Sequence, residues 1–277
     1  MKQLSIGYST CPNDTYIFDA LVHNKIEHDY QFDVILQDVE SLNQLAFKKS
    51  LDISKISIHA WFHMTNDYKL LSSGAALGRG CGPLLIGKTS DIPKSGKIAL
   101  PGTLTTAALL FKIALSGDFE FVMMPFDAII PAIISNKVVA GVIIHESRFT
   151  YQDYGLCEKL DLGQWWEEET GCMIPLGGIM IDNQKSDDTK KNICKLIEQS
   201  ILFANQHPKE STNYIKSYAK EIKDSVINNH IQLYVNEYSL SLQDTGIQAI
   251  QELYIRAVKN NIIPNIEKGK ISELIIQ

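Results

Sequence analysis

Leu4-Ser5-Ile6-Gly7-Tyr8, running into Ser9-Thr10-Cys11-Pro12-Asn13-Asp14-Thr15, is the stretch on which the fold of this chain turns. The first five residues read as a strand and the next seven as a polar turn. An apolar helical pattern follows over residues 15–23, with Ile17/Leu21 and Phe18/Val22 at i,i+4 spacing. The construction recurs at Lys97-Ile98-Ala99-Leu100, which leads through Pro101-Gly102-Thr103-Leu104-Thr105-Thr106 into a second apolar helix. Each turn sets hydroxyls and free backbone N–H groups at a helix N-terminus, where a carboxylate or phosphate is favoured. Two such turns facing each other make a cleft suited to a small anion.

Outward from these anchors, strands are expected at 32–36 and 53–58, with a helix at 39–48 between them. The β-α-β-α-β order implies a parallel sheet by the crossover rule. A second unit repeats it, with strands at 98–100, 119–123 and 139–144 and helices at 105–115 and 126–136. The run from Gly74 to Pro83 holds four glycines and a proline in ten residues, and Leu84-Leu85-Ile86-Gly87 reads as a strand leaving the first unit. A return crossing is expected at Pro175-Leu176-Gly177-Gly178-Ile179-Met180-Ile181, and the remainder is mainly helical with a break at Pro208. The pattern predicts an α/β, two-lobed, type II periplasmic-binding-protein-like fold. Each lobe is a mostly parallel sheet flanked by helices, with the ligand cleft between them. Lobe 1 takes residues 1–87 and 176–277, lobe 2 residues 88–175, and the two crossings allow hinge closure.

A length of 277 residues with 45% hydrophobic and 21% charged residues is ordinary for a soluble globular chain. The net charge of −6 and the lack of a basic run argue against nucleic acid, so an anionic ligand must be drawn by a local site. Five scattered cysteines without a CxxC pair indicate neither a disulfide framework nor a zinc knuckle. No signal-like or membrane-length apolar run is seen, and the expected location is cytoplasmic.

In open α/β sheets ligands lie beyond the C-terminal ends of the strands. That rule nominates Asn13, Asp14 and Thr15 in the first turn, and Ser54, Lys55, Ile56 and Ser57 at the third strand. It also nominates Thr105 and Thr106 at the second turn, and His145 after Val142-Ile143-Ile144. Imidazole titrates near neutrality and can accept a proton at cellular pH. The competing reading of His145 is a strand-capping residue; for Thr105 and Thr106 it is ordinary N-capping. Lys55 is either an outer-face residue or a cleft cation. Glu146 is expected on the face opposite His145, because neighbours in a strand alternate. Cys11 lies near a helix N-terminus but has no base adjacent in sequence, so a packed thiol is favoured over a nucleophile. His59 and His63 have metal-pair spacing without the HExxH pattern, and a helix-face role is favoured. Trp165 and Trp166 are read as packing residues in preference to a ligand roof.

The stretches 9–15 (STCPNDT), 78–84 (GRGCGPL), 101–107 (PGTLTTA) and 143–151 (IIHESRFTY) resemble the MqnA/MqnD family. The likeness runs over essentially the whole chain, including 234–240 (YVNEYSL), and its CPNDT and HESRFTY motifs are specific. The motifs lean towards the branch that acts on cyclic dehypoxanthinyl futalosine. The resemblance therefore implies a carbon–carbon lyase that releases 1,4-dihydroxy-6-naphthoate and a sugar-derived fragment in menaquinone biosynthesis. It places the proton acceptor on His145 and substrate contacts on Lys55–Ser57 and Thr105-Thr106. Aromatisation drives such a reaction, so no metal and no redox cofactor are expected. The implied partner is a small anionic substrate, bound by a monomer or homodimer, with neither nucleic acid nor membrane. The alternatives carried beside it are chorismate dehydratase of the same pathway, a non-catalytic small-anion-binding protein of the same fold, and a ligand-binding regulatory domain.

Overall fold

Strand and helix alternate over residues 2–62 and 95–143, as the periodicity requires. The computed structural model describes residues 2–219, 223–265 and 271–277. The first run is β1 (Lys2–Tyr8), α1 (Pro12–Val22), β2 (Tyr30–Leu36), α2 (Val39–Phe47), β3 (Ile53–Ser57), α3 (Ile58–Phe62), β4 (Tyr68–Leu71) and β5 (Ala76–Gly78). The second is β6 (Leu84–Gly87), β7 (Ser95–Leu100), α4 (Thr106–Ala114), β8 (Asp118–Met123), α5 (Phe126–Ile134), β9 (Ala140–Ile143), α6 (Ser147–Thr150), β10 (Cys157–Asp161) and α7 (Leu162–Thr170). Then come β11 (Ile174–Asp182), α8 (Asp187–Gln206), α9 (Thr212–Tyr218), α10 (Asp224–Tyr234), α11 (Glu237–Leu240), α12 (Gln243–Lys259) and β12 (Ile275–Ile276).

The strands form two sheets. The first has the order β12-β4-β11-β3-β1-β2, with β5 paired to β11; the second has the order β10-β6-β9-β7-β8. Both are parallel where the βαβ crossovers lie, β1 with β2 and β3, and β7 with β8 and β9. The long strand β11 runs antiparallel to β3, β4 and β5, so residues 175–181, expected as the return crossing, lie within the first sheet, and the chain comes back to that sheet between α7 and β11. β6 pairs antiparallel with β9 and β10. Residues 84–87, expected with the first unit, therefore belong to the second sheet, and the chain changes sheets just ahead of them.

The glycine run earns its composition at that crossing. A Cβ on Gly82 would lie 2.2 Å from the Gly163 Cα, so the two backbones touch there and neither position has room for a side chain. Arg148 fastens the same crossing, donating to the Gly82 carbonyl and pairing with Asp161 at 2.7 Å.

A shared core holds the sheets together. One apolar cluster takes Ile56, Leu70 and Met180 from the first sheet and Leu85, Ile98, Leu100 and Val142 from the second. Helix α8 packs against α1: its Ser200 hydroxyl donates to the Ile17 carbonyl at 2.6 Å and accepts from Leu21 N at 3.1 Å. Trp166 is fully buried, with its indole N–H on the Met173 carbonyl at 3.0 Å, which is a packing role. No helix among the described residues is long and apolar enough to cross a membrane.

Candidate active site

The ends of β1, β3, β7 and β9 converge on one cavity of about 90 Å³. Its lining includes Ser9, Asn13, Asp14, Lys55, Ile56, Ser57, Thr105, Thr106 and His145, together with Cys81, His230 and Tyr234. Eight of the residues nominated at the strand ends meet there: Asn13, Asp14, Lys55, Ile56, Ser57, Thr105, Thr106 and His145.

Two do not. Thr15 lies inside α1, because the helix starts at Pro12, whose missing N–H costs nothing in a first turn. Its hydroxyl donates back to the Cys11 and Pro12 carbonyls at 3.0 and 3.3 Å. Ser54 is fully buried outside the lining and next to Gly7; strand alternation turns it away from the face that carries Lys55 and Ser57. Its hydroxyl has no partner among the described residues.

The α1 side of the cavity is electrically closed on itself. Asp14 is only 4% exposed. Its carboxylate accepts from Ser9 N at 3.3 Å, Ser9 Oγ at 2.7 Å and Asn13 Nδ2 at 2.8 Å. Lys55, 5% exposed, pairs with Asp14 at 3.4 Å and donates to the Gly74 carbonyl at 2.5 Å. An ammonium has three donors, so this leaves one for a ligand. Lys55 is thus a cleft cation already neutralised, which is how so buried a charge is tolerated.

The α4 side is different. Thr105 Oγ1 donates to the Gly102 carbonyl at 3.0 Å and caps the helix by accepting from Ala108 N at 3.2 Å. Thr106 Oγ1 donates to the Leu176 carbonyl at 2.7 Å and accepts from His59 N at 3.3 Å. Both hydroxyls are occupied, so the capping reading holds for Thr105. What α4 offers the cavity is the first-turn N–H groups of Thr106 and Ala107, which have no hydrogen-bond partner among the described residues, the arrangement that favours an anion.

His145 departs from the strand expectation. Its backbone is left-handed, with φ of 57°, so the alternation of β9 ends before it. In consequence Glu146 is not directed away. Cys11 Sγ, a ring nitrogen of His145 and a Glu146 carboxylate oxygen all lie within 4.8 Å of one another. The His145 Nδ1 is 3.3 Å from Cys11 Sγ, and Phe126 packs its edge on the ring at 5.0 Å between centroids. The base that Cys11 lacks in sequence is therefore present in space. Burial, reinforced by Glu146 and Asp14, pushes the Cys11 thiol well above its usual pKa, so the resting pair is a neutral thiol and imidazole. Burial also lowers the His145 pKa, opposed by the nearby Glu146, Asp14 and Asp38 carboxylates.

A second imidazole was not found from sequence. His230 on α10 stacks over His145, with ring centroids 6.3 Å apart and planes within 14°. Asn13 Nδ2 is committed to Asp14, so Asn13 Oδ1 accepts and His230 Nε2 donates, at 2.9 Å. That leaves His230 Nδ1 as a buried lone pair without a partner among the described residues. The available signal was the face Ile227–His230–Tyr234, a histidine set among apolar positions at helical spacing.

His59 donates Nδ1–H to the Thr105 carbonyl at 3.0 Å, tying α3 to the turn before α4, and its ring lies 5.4 Å from that of His63. Helix α3 ends at Phe62, so only His59 lies within it and His63 is its C-cap residue. Burial lowers the pKa of His59 to about 4 and lowers those of His63, His145 and His230 as well. Each of the four takes up protons less readily in the folded chain than in the unfolded one, whose histidines begin to charge at about pH 6.5, and His59 stays neutral when folded down to about pH 4. Stability is therefore complete above about pH 6.5 and is lost on acidification. His59 alone accounts for about 2 kcal/mol between pH 7 and pH 5. Urea midpoints measured across that range should fall steadily; a flat profile would show these rings charged or exposed in the folded state.

Over residues 4–259 the sequence matches a family described as menaquinone biosynthesis. The chain belongs to that family. It is 40% identical over 258 residues to the 1,4-dihydroxy-6-naphtoate synthase of Thermus thermophilus, covering 93% of this chain and 94% of the relative. The Streptomyces coelicolor protein of the same name is 39% identical over 267 residues, covering 94% and 95%. Among solved structures, one from Archaeoglobus fulgidus superposes with a TM-score of 0.90 at 34% identity, covering 94% of this chain and 98% of that one. The alkanesulfonate-binding protein SsuA of Xanthomonas axonopodis pv. citri, solved with MOPS, superposes at 0.74 and 13% identity, covering 99% and 98%. That likeness establishes the two-lobed binding-protein-like fold alone.

Proposed function

We propose that the chain is a 1,4-dihydroxy-6-naphthoate synthase, a carbon–carbon lyase that cleaves cyclic dehypoxanthinyl futalosine in menaquinone biosynthesis. The observation that carries the mechanism is the convergence of the His145 imidazole with the first-turn N–H groups of α4 in a cavity walled by both sheets. The α4 N–H groups hold the substrate carboxylate, and the remaining Lys55 donor and Ser57 hold sugar oxygens. His145 takes a proton from the substrate, and the electron pair moves through the ring system. The carbon–carbon bond to the sugar remnant breaks, and the ring becomes aromatic. Asn13, Asp14 and His230 keep the wall of the site in place through their mutual hydrogen bonds. Closure of the two lobes about the crossings at residues 79–83 and 171–173 excludes water and sets substrate against base. The site, set in a chain expected to be cytoplasmic, works on a small soluble anion.

Purified protein incubated with cyclic dehypoxanthinyl futalosine should yield 1,4-dihydroxy-6-naphthoate, seen by chromatography against the authentic compound. Turnover of chorismate in its place would assign the sister dehydratase reaction. Tight binding without product would leave an anion-binding protein.

A further inference from the structure

Once the proposed reaction has been given its residues, two groups beside His145 remain unused. Cys11 is the N-cap residue of α1, yet its side chain makes no capping bond; its sulfur faces His145 Nδ1 at 3.3 Å. Glu146 is 5% exposed, and its Oε2 is buried without a hydrogen-bond partner among the described residues. A buried carboxylate oxygen with no donor is costly unless a cation or a proton reaches it. These two groups and the His145 ring nitrogen lie within 4.8 Å of one another.

We propose that Cys11 Sγ, His145 Nδ1 and the Glu146 carboxylate form an inhibitory site for a thiophilic divalent cation of the zinc class. Sulfur, imidazole nitrogen and carboxylate oxygen are the donors zinc prefers, and three of them leave a fourth position for water. Tetrahedral zinc with its usual bond lengths puts sulfur and nitrogen about 3.6 Å apart. The Cys11–His145 pair is close to that already, at 3.3 Å. The Glu146 oxygen lies within 4.8 Å of the other two donors, so the carboxylate needs to move inward by no more than about 1.5 Å. A thiolate and a carboxylate would together balance the dication, and the thiol would give up its proton on binding. The cavity that reaches His145 supplies the entry path.

The inhibitory consequence follows from tautomers. A cation on Nδ1 leaves the imidazole proton on Nε2, so the ring has no lone pair with which to accept a substrate proton. That consequence rests on the proposed role of His145; the binding itself does not.

Cobalt(II) chloride added to chelator-treated protein tests the binding, because a thiolate–cobalt bond absorbs in the near ultraviolet. One equivalent should raise the band, and zinc should bleach it. Cys157 is exposed and Cys172 half-buried, so Cys157→Ser/Cys172→Ser serves as the background and should keep the band. In that background Cys11→Ser should abolish the band and weaken zinc more than a hundredfold, beyond the roughly 10–100-fold expected for losing an outer partner. Glu146→Gln should weaken zinc at least tenfold while keeping the band, and it is the second variant should Cys11→Ser fail to fold. No band with the parent, or an equal band in Cys11→Ser, would overturn the site. Saturating zinc should slow naphthoate formation at least tenfold; unchanged turnover with the site filled would overturn its inhibitory role. Lack of turnover before any metal is added would count against the proposed reaction and leave the optical result standing.

Discussion

His145→Asn should bind the futalosine derivative nearly as well as the parent and turn it over roughly 10²–10⁴ times more slowly, the range for losing one general base. In activation free energy this is about 3–5 kcal/mol. Asparagine is the informative choice because it tolerates the left-handed backbone that His145 adopts, with φ of 57°. The fold should survive while the ring is lost. The acid limb of the parent's kcat/KM profile belongs to the same experiment. Burial holds the His145 pKa below 6.5, so turnover should be flat through neutrality and decline only on the acid side of that value. Single-turnover measurements with matched binding curves would separate the two effects. Turnover within tenfold of the parent would remove His145 from the mechanism.

The second large effect is expected at Lys55. Lys55→Met keeps the stem and removes the ammonium, leaving the buried Asp14 carboxylate without its cation and the Gly74 carbonyl without its donor. Breaking a buried pair from one side costs about 3–5 kcal/mol. Asp14 keeps the Ser9 and Asn13 donors, so the lower end, about 3 kcal/mol, is expected. Lys55→Met/Asp14→Asn should lose at least ~1 kcal/mol less than the sum of the single changes, a coupling of the size seen between touching residues. Denaturant melts of the four proteins give the cycle directly. KM should rise at least tenfold in Lys55→Met if its third donor meets the substrate; an unchanged KM would confine Lys55 to holding the wall of the site.

Most of the sheet topology and the meeting place of the candidate residues were legible because both follow from local rules. A strand that ends in a polar turn before an amphipathic helix has one parallel solution, and its C-terminal end must open on the cleft. Asn13, Asp14, Lys55, Ser57, Thr105, Thr106 and His145 all sit at such ends, and the cavity joins them. The misreadings came where a nonlocal or single-residue event decided the outcome. Thr15 turned inward because Pro12 began the helix three residues early. Glu146 joined its neighbour because one backbone angle cancelled strand alternation. His230 arrives from a helix packed in from the far end of the chain, and β6 joins the second sheet through an antiparallel pairing that no crossover rule predicts.

The left-handed turn at residue 145 has one more consequence. A histidine in that conformation carries a backbone penalty of about 1–2 kcal/mol that glycine would not. The residue best suited to the bend is thus useless as a proton acceptor, and the proton acceptor proposed here is poorly suited to the bend. Thermal hardiness and the proposed catalysis pull in opposite directions at this one position. Heat-adapted descendants of such a chain would have to gain their robustness elsewhere and leave this corner as it is.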